Sequence, residues 1–190
     1  MKTSLLRSLW RLHLITPRGI VRLLNCFLHE GITMMAAVRF AARYHTHDCA
    51  VVSDNQHIDY QDFYALAQRL SHLLYHKYHL KSGQHVALFC RNHLVSALLL
   101  PALSRLGVHV RLLNTDLSSE QLAKLMSRPF ALFIYDEELI LANDLNAMCP
   151  MISCETLLES IKRQDFVDNM HKSGFTLKTV QAFLYSPKNL

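Results

Sequence analysis

The 190-residue sequence has few glycines and prolines, five of each, and only 18% of its residues are charged. It also lacks an uninterrupted apolar run of roughly 18 residues, the length that a membrane-spanning helix needs. Arg105 breaks the longest candidate, residues 94–106. The first residues lack the long uncharged centre and small-residue cleavage site of a signal peptide. These absences argue against membrane-spanning and secreted proteins, and we expect a cytoplasmic one.

The cysteines lack the pairing of a disulfide framework or a zinc module. There are five of them, an odd number, and no two form a Cys-x-x-Cys pair. Most lie among apolar residues, which is typical of reduced thiols that act as small core side chains. We therefore predict Cys26, Cys49, Cys90, Cys149 and Cys154 to be free, and we assign them no metal.

Acidic residues are scarce at the start of the chain. The net charge is +5, and the basic excess lies before His45, with apolar residues at helical spacing between the charges. We expect residues 1–30 to contact the inner face of a membrane as a basic amphipathic surface; the alternative is that this surface packs on the rest of a longer enzyme. Aromatic and basic residues do not alternate on a strand-like surface, so we expect no nucleic-acid partner.

Periodicity divides the chain into three regions. Residues 1–45 predict a basic helical extension of three short helices, the second starting at Pro17 with Thr16 as its cap. Residues 46–163 alternate between strands and helices, which predicts an α/β fold with a mainly parallel sheet and helices on both faces. Residues 164–190 are predicted to be a loop or linker followed by a strand at 179–185. The other predicted strands are 50–53, 56–58, 85–90, 108–113, 130–135 and 151–153, and the main helices begin at Tyr60, Leu94, Ser118 or Ser119, and Glu155.

Three segments resemble the N-terminal core of the adenylate-forming (AMP-binding) superfamily. Residues 58–63 (Ile-Asp-Tyr-Gln-Asp-Phe) resemble its first core motif, and residues 80–88 resemble its Leu-x-x-Gly-Asp-x-Val-Ala-Leu strand entry. Residues 103–115 resemble its Gly-Ala-x-x-x-x-Leu-Asn motif. The Arg-Asn-His at 91–93, together with the Gly-Ile-Thr step at 31–33 after a basic helical extension, resembles the long-chain fatty-acyl-CoA synthetases.

The resemblance implies a reaction that this sequence supplies only in part. Family members activate a carboxylate with ATP and Mg²⁺ and pass the acyl group to coenzyme A. The family's glycine- and hydroxyl-rich phosphate loop would fall at residues 183–190, which read Phe-Leu-Tyr-Ser-Pro-Lys-Asn-Leu, and no glycine follows Gly174. We therefore expect no catalytic residue and no cofactor for this chain alone, and a full-length family member would require ATP, Mg²⁺ and coenzyme A.

Candidate substrate residues stand where predicted strands end, the edge at which open α/β sheets bind ligands. Asn92 and His93 are predicted to line the acyl side of a cleft, although Asn92 would also serve as a helix cap. Asn114 has the same two interpretations, cleft or turn. Residues 136–138 (Asp-Glu-Glu) follow a strand and could bind a metal, but such a run more often starts a helix, which is the interpretation preferred here. The His72, His76 and His79 helix face is predicted to be solvated rather than metal-binding.

Two functions remain open. The first is the N-terminal part of an ATP-dependent fatty-acid–CoA ligase, inactive alone. The second is a non-catalytic remnant that binds an acyl ligand or a protein partner at a membrane surface. In either case Phe183 and Leu184 are expected to be exposed, with self-association through the sheet edge.

Overall fold

A computed structural model describes residues 16–53, 56–126, 129–140 and 149–169. The first predicted helix and the strand at 179–185 lie outside these residues, as do Phe183 and Leu184. The described helices are α1 (Pro17–Glu30), α2 (Met34–Tyr44), α3 (Tyr60–Tyr78), α4 (Leu94–Leu106), α5 (Ser119–Met126), α6 (Glu137–Ile140) and α7 (Cys154–Asn169). The described strands are β1 (Cys49–Ser53), β2 (Gln56–Asp59), β3 (His85–Phe89), β4 (His109–Leu112), β5 (Leu132–Tyr135) and β6 (Met151–Ser153).

The predicted caps of the early helices are confirmed. Thr16 accepts a hydrogen bond from the Gly19 N–H at the start of α1, with Pro17 in the first turn. Asp59 accepts from the Asp62 N–H at 2.8 Å and starts α3. In each case a side-chain oxygen satisfies one of the N–H groups that a helix start leaves without a helical partner.

A four-stranded parallel sheet forms the centre of the fold, in the order β4-β3-β5-β6. A separate antiparallel hairpin, β1–β2, precedes it. Since every connection in the larger sheet is a crossover, the carboxyl ends of its four strands lie along one edge.

Helices cover both faces of the sheet, as the sequence predicts. On one face, buried residues of α3, α4 and α7 pack against β3, β5 and β6; Leu70, Leu99 and Leu157 are all fully buried there. On the other face, Leu122 of α5 packs near Phe133 and Phe89. The α/β class is therefore confirmed, and it follows from strands whose two faces are both apolar.

Helix α4 has the bounds that its sequence predicts. Gly107 ends it with φ of +68°, a conformation that L side chains rarely adopt. A Cβ at this position would also lie 2.7 Å from the Ser82 Oγ. Glycine is thus required here both by the turn and by the neighbouring loop.

Helix α7 differs from its prediction, because it continues to Asn169 through residues predicted to be a loop. The polar composition of 164–169 suggested a linker. However, no glycine or proline occurs in that stretch to end the helix. Within the described ranges, no helix combines the length and the apolarity needed to cross a bilayer.

Candidate functional site

The carboxyl edge of the sheet brings together three residues that are distant in the sequence. Phe89 of β3 is aligned with Tyr135 of β5, and Tyr135 is aligned with Ser153 of β6. The next residue of each strand continues the same row: Cys90, Asp136 and Cys154. Their ligand atoms lie within 4.8 Å of one another.

Asp136 is a buried carboxylate with two strong donors. The His93 Nε2 donates to Oδ1 at 2.7 Å, and the Arg91 backbone N–H donates to Oδ2 at 2.7 Å. Burial raises the pKa of Asp136, but the hydrogen bonds from His93 and Arg91 outweigh it, so the pKa lies below its ordinary value. The group is therefore held as a carboxylate.

His93 connects this carboxylate to helix α4. Its Nδ1 accepts from the N–H groups of Val95 and Ser96, at 3.1 and 3.4 Å, so His93 is the N-cap of the helix. The Ser96 hydroxyl completes a capping box by accepting from the His93 N–H at 3.0 Å. Because Nδ1 is an acceptor, the ring proton is on Nε2, where it is donated to Asp136.

Two thiols lie beside the carboxylate. The Sγ atoms of Cys90 and Cys154 are 3.2 Å apart, and the Cys90 Sγ lies 3.6 Å from the Ile134 carbonyl oxygen. The hydrogen bond with Cys90, burial and the nearby charge of Asp136 all raise the pKa of Cys154 above its ordinary value. The Cys154 thiol is therefore protonated at neutral pH.

Acidic residues of α6 surround the outer side of this edge. Ser153 donates its hydroxyl to Glu137 Oε1 at 2.7 Å and accepts from the Thr156 N–H. Arg91 forms an exposed ion pair with Glu138, with 3.0 Å between Nη1 and Oε2. These contacts hold the loop after β3 against α6.

A cleft of about 490 Å³ opens on the other side of the β3 edge. It lies between β1, the ends of β3 and β4, and α4, and its volume falls within the range of small-molecule sites. Most of its walls are apolar, and its polar groups come from the loop after β3 and from Ser96 in the first turn of α4. It is lined by Val51, Val52, Leu88, Cys90, Asn92, His93, Leu94, Ser96, Ala97, Leu100, Leu112 and Leu113.

The structure separates the three predicted substrate residues. Asn92 and His93 both line the cleft. The proposed capping role of Asn92 is wrong, however, because His93 is the cap of α4 and the Asn92 side chain is exposed. Asn114 is not among the residues that line the cleft. Its Oδ1 accepts from the Asp116 N–H at 3.2 Å, so it supports the turn before α5.

The structure also decides the predictions for the cap of α5, the histidine face of α3 and the cysteines. Ser118, not Ser119, is the cap of α5, since its hydroxyl accepts from the Gln121 N–H and its own N–H donates to Gln121 Oε1. His72, His76 and His79 are exposed, as predicted for a solvated helix face. All five cysteines are free, but Cys49 is exposed rather than buried.

Sequence reasoning missed the row formed by Cys90, Asp136 and Cys154. The sequence predicts Asp136 as part of a carboxylate run that starts a helix, with metal binding as the less favoured alternative, and it does not connect Asp136 with the two cysteines. A signal was present, since each of the three directly follows a strand of a parallel sheet. Finding them required the register between strands, which the sequence does not give.

Comparison with known proteins places these features in a family. The model of the AMP-binding enzyme family matches residues 38–176. No curated protein matched the chain.

Several solved structures share the fold at low sequence identity. O-succinylbenzoate coenzyme A synthetase (MenE) from Bacillus subtilis, in complex with ATP and a magnesium ion, is 20% identical with a TM-score of 0.53; the match covers 63% of this chain and 33% of that one. The N-terminal subdomain of Klebsiella oxytoca NpsA, in complex with 3-hydroxyanthranilyl-AMSN, is 16% identical with a TM-score of 0.60, covering 68% and 32%. A protein assigned as a long-chain-fatty-acid CoA ligase from Rhodopseudomonas palustris is 18% identical with a TM-score of 0.56, covering 68% and 37%. The chain thus spans about a third of the length of these structures.

Proposed function

Because this chain belongs to the AMP-binding enzyme family, we propose that it is the N-terminal part of an ATP-dependent acyl-CoA synthetase and holds a fatty-acid chain in its cleft. The observation that carries the proposal is the cleft itself, which is apolar along β1, β4 and most of α4 and is polar at the loop after β3 and the first turn of α4, where Ser96 lies. This distribution suits a ligand with a long apolar tail and one polar end.

The two ends of the cleft have different tasks in this proposal. Leu88, Ala97 and Leu100 contact the acyl tail and exclude water from it. The exposed Asn92 amide provides N–H donors near the carboxylate of the substrate. His93 is already bonded on both ring nitrogens, so it fixes the end of α4 rather than transferring a proton.

The nucleotide has no corresponding place among the described residues. Within the described ranges, the glycines with positive φ are Gly31, Gly83 and Gly107. Each closes a single turn, and none belongs to a glycine-rich loop that could surround phosphates through its N–H groups. We therefore assign these residues to the acyl substrate and derive no step through ATP or Mg²⁺.

Displacement of a fluorescent fatty acid from the purified chain tests the acyl site. Ala97→Phe fills the cleft, and we expect it to weaken binding of a sixteen-carbon fatty acid by about tenfold or more. The same change at the exposed Ala37 is the matched control and is expected to leave affinity within about twofold. If 3-hydroxybenzoate displaces the fluorescent ligand and unlabelled fatty acids do not, the substrate is an aryl acid and not a fatty acid.

A second measurement separates ligand binding from catalysis. We expect the 190-residue chain to bind fatty acid without catalysing fatty-acid-dependent exchange between ATP and pyrophosphate, because its sequence has no glycine-rich phosphate loop. Exchange by this chain alone would show that the chain is a complete catalyst and would refute its assignment as an inactive part.

We also propose that α1 contacts a membrane surface, which would serve either function considered for the chain. One side of α1 packs against α2 through Leu23, Cys26 and Phe27. The opposite side leaves apolar residues in solvent: Ile20, Val21, Leu24 and Leu28 are 47%, 66%, 55% and 86% exposed. Arg18 and Arg22 flank them, as in helices that lie in the interface of anionic lipids.

Co-sedimentation with vesicles of anionic and of neutral phospholipid tests this contact. We expect the protein to sediment with anionic vesicles and Leu28→Glu to remain largely in the supernatant. Tyr75→Glu is the matched control, since Tyr75 is also an exposed large side chain, on α3. Equal sedimentation of the two variants would exclude α1 as the contact, and removal of residues 1–15 measures the contribution of the segment before it.

A further inference from the structure

Three potential metal ligands meet at the carboxyl edge of the sheet, beside the acyl cleft. Cys90 follows β3, Asp136 follows β5 and Cys154 follows β6, each as the first residue after its strand. The register of the three strands puts these residues in one row, and their sulfur and oxygen atoms lie within 4.8 Å of one another. We propose that Cys90, Asp136 and Cys154 together bind a thiophilic divalent ion such as Zn²⁺.

The donor set fits zinc in type and in distance. Zinc binds thiolate sulfur at about 2.3 Å and carboxylate oxygen at about 2.0–2.2 Å, in tetrahedral geometry. Two sulfurs on one such ion are about 3.7 Å apart, from the same bond length, and the two Sγ atoms are 3.2 Å apart here. A shift of about half an ångström, within the reach of the cysteine side-chain torsions, therefore makes room for the ion. Binding of the ion displaces the thiol protons to solvent, and the two thiolates so formed favour zinc over magnesium or calcium, which prefer oxygen ligands.

Sheet topology places the carboxylate between the two thiols. β5 lies between β3 and β6, so Asp136 follows the middle strand, and Cys90 and Cys154 follow the strands on either side of it. Both cysteines are free, and a metal ion shared by the two sulfurs would also be within reach of the carboxylate.

The surroundings of Asp136 match those of a metal-binding carboxylate. Its Oδ1 is oriented by His93 and its Oδ2 by the Arg91 N–H. Such hydrogen bonds from outer residues fix the direction of a ligand and raise metal affinity. Cys90 also lines the cleft, so we expect water from the cleft to complete the coordination.

Cobalt binding to the full 190-residue chain, under reducing and oxygen-free conditions, tests the site. Cobalt replaces zinc in such sites, and a thiolate ligand gives it a strong near-ultraviolet charge-transfer band that histidine and carboxylate ligands do not give. We expect one Co²⁺ per chain with the band intensity of two thiolates, and release of the Co²⁺ by Zn²⁺. Absence of the band in the wild-type chain would overturn the proposal.

Variants identify the ligands. Cys90→Ser and Cys154→Ser are each expected to halve the band and to weaken zinc binding, measured against a chromophoric chelator, by about a hundredfold or more. Cys49→Ser and His76→Gln are the matched controls, since both residues are exposed and lie outside the row; neither is expected to change the band. Equal loss in Cys49→Ser, or no loss in Cys90→Ser, would refute the assignment.

A measurement on the wild-type chain covers the case in which a variant fails to fold. Alkylation followed by mass spectrometry is expected to show that Zn²⁺ slows modification of Cys90 and Cys154 but not of Cys49. If zinc leaves the alkylation rates of Cys90 and Cys154 unchanged, these thiols do not bind the ion.

Discussion

The two buried carboxylates among the described residues, Glu30 and Asp136, have opposite kinds of partners. Glu30, at the end of α1, is 2% exposed in its side chain and meets two arginines. Arg39 Nη1 lies 2.9 Å from Oε1, and Arg105 Nε lies 3.1 Å from Oε2. Asp136, at the carboxyl edge of the sheet, meets a histidine ring, a backbone N–H and two thiols.

The difference distinguishes a cluster that anchors a helix from one that lies beside a cleft. Glu30 joins α1, α2, α3 and α4, since Tyr64 of α3 also donates to Oε1 at 2.6 Å. Two of its partners are arginines, whose guanidinium groups are always charged, so the cluster fixes the helical extension on the domain. The partners of Asp136 are an imidazole, a backbone N–H and two thiols.

The pairing around Glu30 is not complete. The contact between Arg105 and Oε2 is close, yet it lacks the geometry of a hydrogen bond, and Oε2 and Arg105 Nη1 have no other hydrogen-bond partner among the described residues. An ion pair of this kind gives less stability than its distance suggests, because both ions have lost water. Removing one partner remains costly.

Replacing Glu30 breaks the anchoring cluster and should have the largest effect. Glu30→Ala leaves Arg39 and Arg105 without their carboxylate in a site where their side chains are only 16% and 27% exposed. We expect the free energy of unfolding in urea to fall by about 3–5 kcal/mol. Glu120→Ala, at an exposed position, is the control and should change it by less than about 0.5 kcal/mol. Similar losses in both variants would show that Glu30 has no anchoring role.

Replacing Asp136 tests the second cluster. In Asp136→Asn only one side-chain oxygen can accept, so either His93 or the Arg91 N–H loses its partner, at a cost of about 1–3 kcal/mol. Because the folded pKa is lowered, the stability contributed by the carboxylate is present above the ordinary pKa of about 4 and is lost as the pH falls through the folded value. The difference between wild type and variant should therefore be constant from about pH 5 to 7 and shrink in acid. A difference that grows in acid would contradict this assignment.

Tyr64→Phe removes the hydrogen bond that Tyr64 donates to Glu30, together with the one that its hydroxyl accepts from Gln68 Nε2. We expect a loss of about 1.5 kcal/mol, the lower end for a bond to a charged group, because Tyr64 is only half-buried. Burial, the hydrogen bond to Glu30 and the charge of Glu30 raise the pKa of Tyr64 to about 12. Its stabilisation is thus complete below the ordinary pKa of about 10 and is lost as the pH rises to about 12. Urea unfolding of wild type and Tyr64→Phe across this pH interval measures the loss. A difference in the free energy of unfolding that stays constant with pH would refute the hydrogen bond between Tyr64 and Glu30.

The smallest effect is that of Asn92→Ala, and it is measured beside His93→Ala. His93→Ala removes a helix cap and also the hydrogen bond to buried Asp136, so it should lower the free energy of unfolding by about 2–4 kcal/mol. Asn92→Ala changes an exposed side chain that is not the cap, and should lower it by less than about 0.5 kcal/mol. Thermal unfolding of the two variants side by side distinguishes them. A larger loss for Asn92→Ala would restore Asn92 as the cap.

Secondary structure could be predicted well wherever a local residue decides it. Thr16, Asp59 and Gly107 set the ends of their helices through contacts within a few residues, and these ends were found. The cap of α4 was assigned to the wrong residue because asparagine is a common N-cap and histidine is not. His93 takes that place because Asp136, 43 residues further along the chain, fixes its ring.

By itself, the sequence determined the alternation of strands and helices, the parallel sheet and the edge at which polar residues gather. Apolar periodicity and short-range caps are local properties, so they can be read before the chain folds. Tertiary structure alone decided that Cys90, Asp136 and Cys154 share one row, and that Glu30 meets Arg105. These partners are far apart in sequence, and the register and packing that join them arise only when the strands and helices assemble.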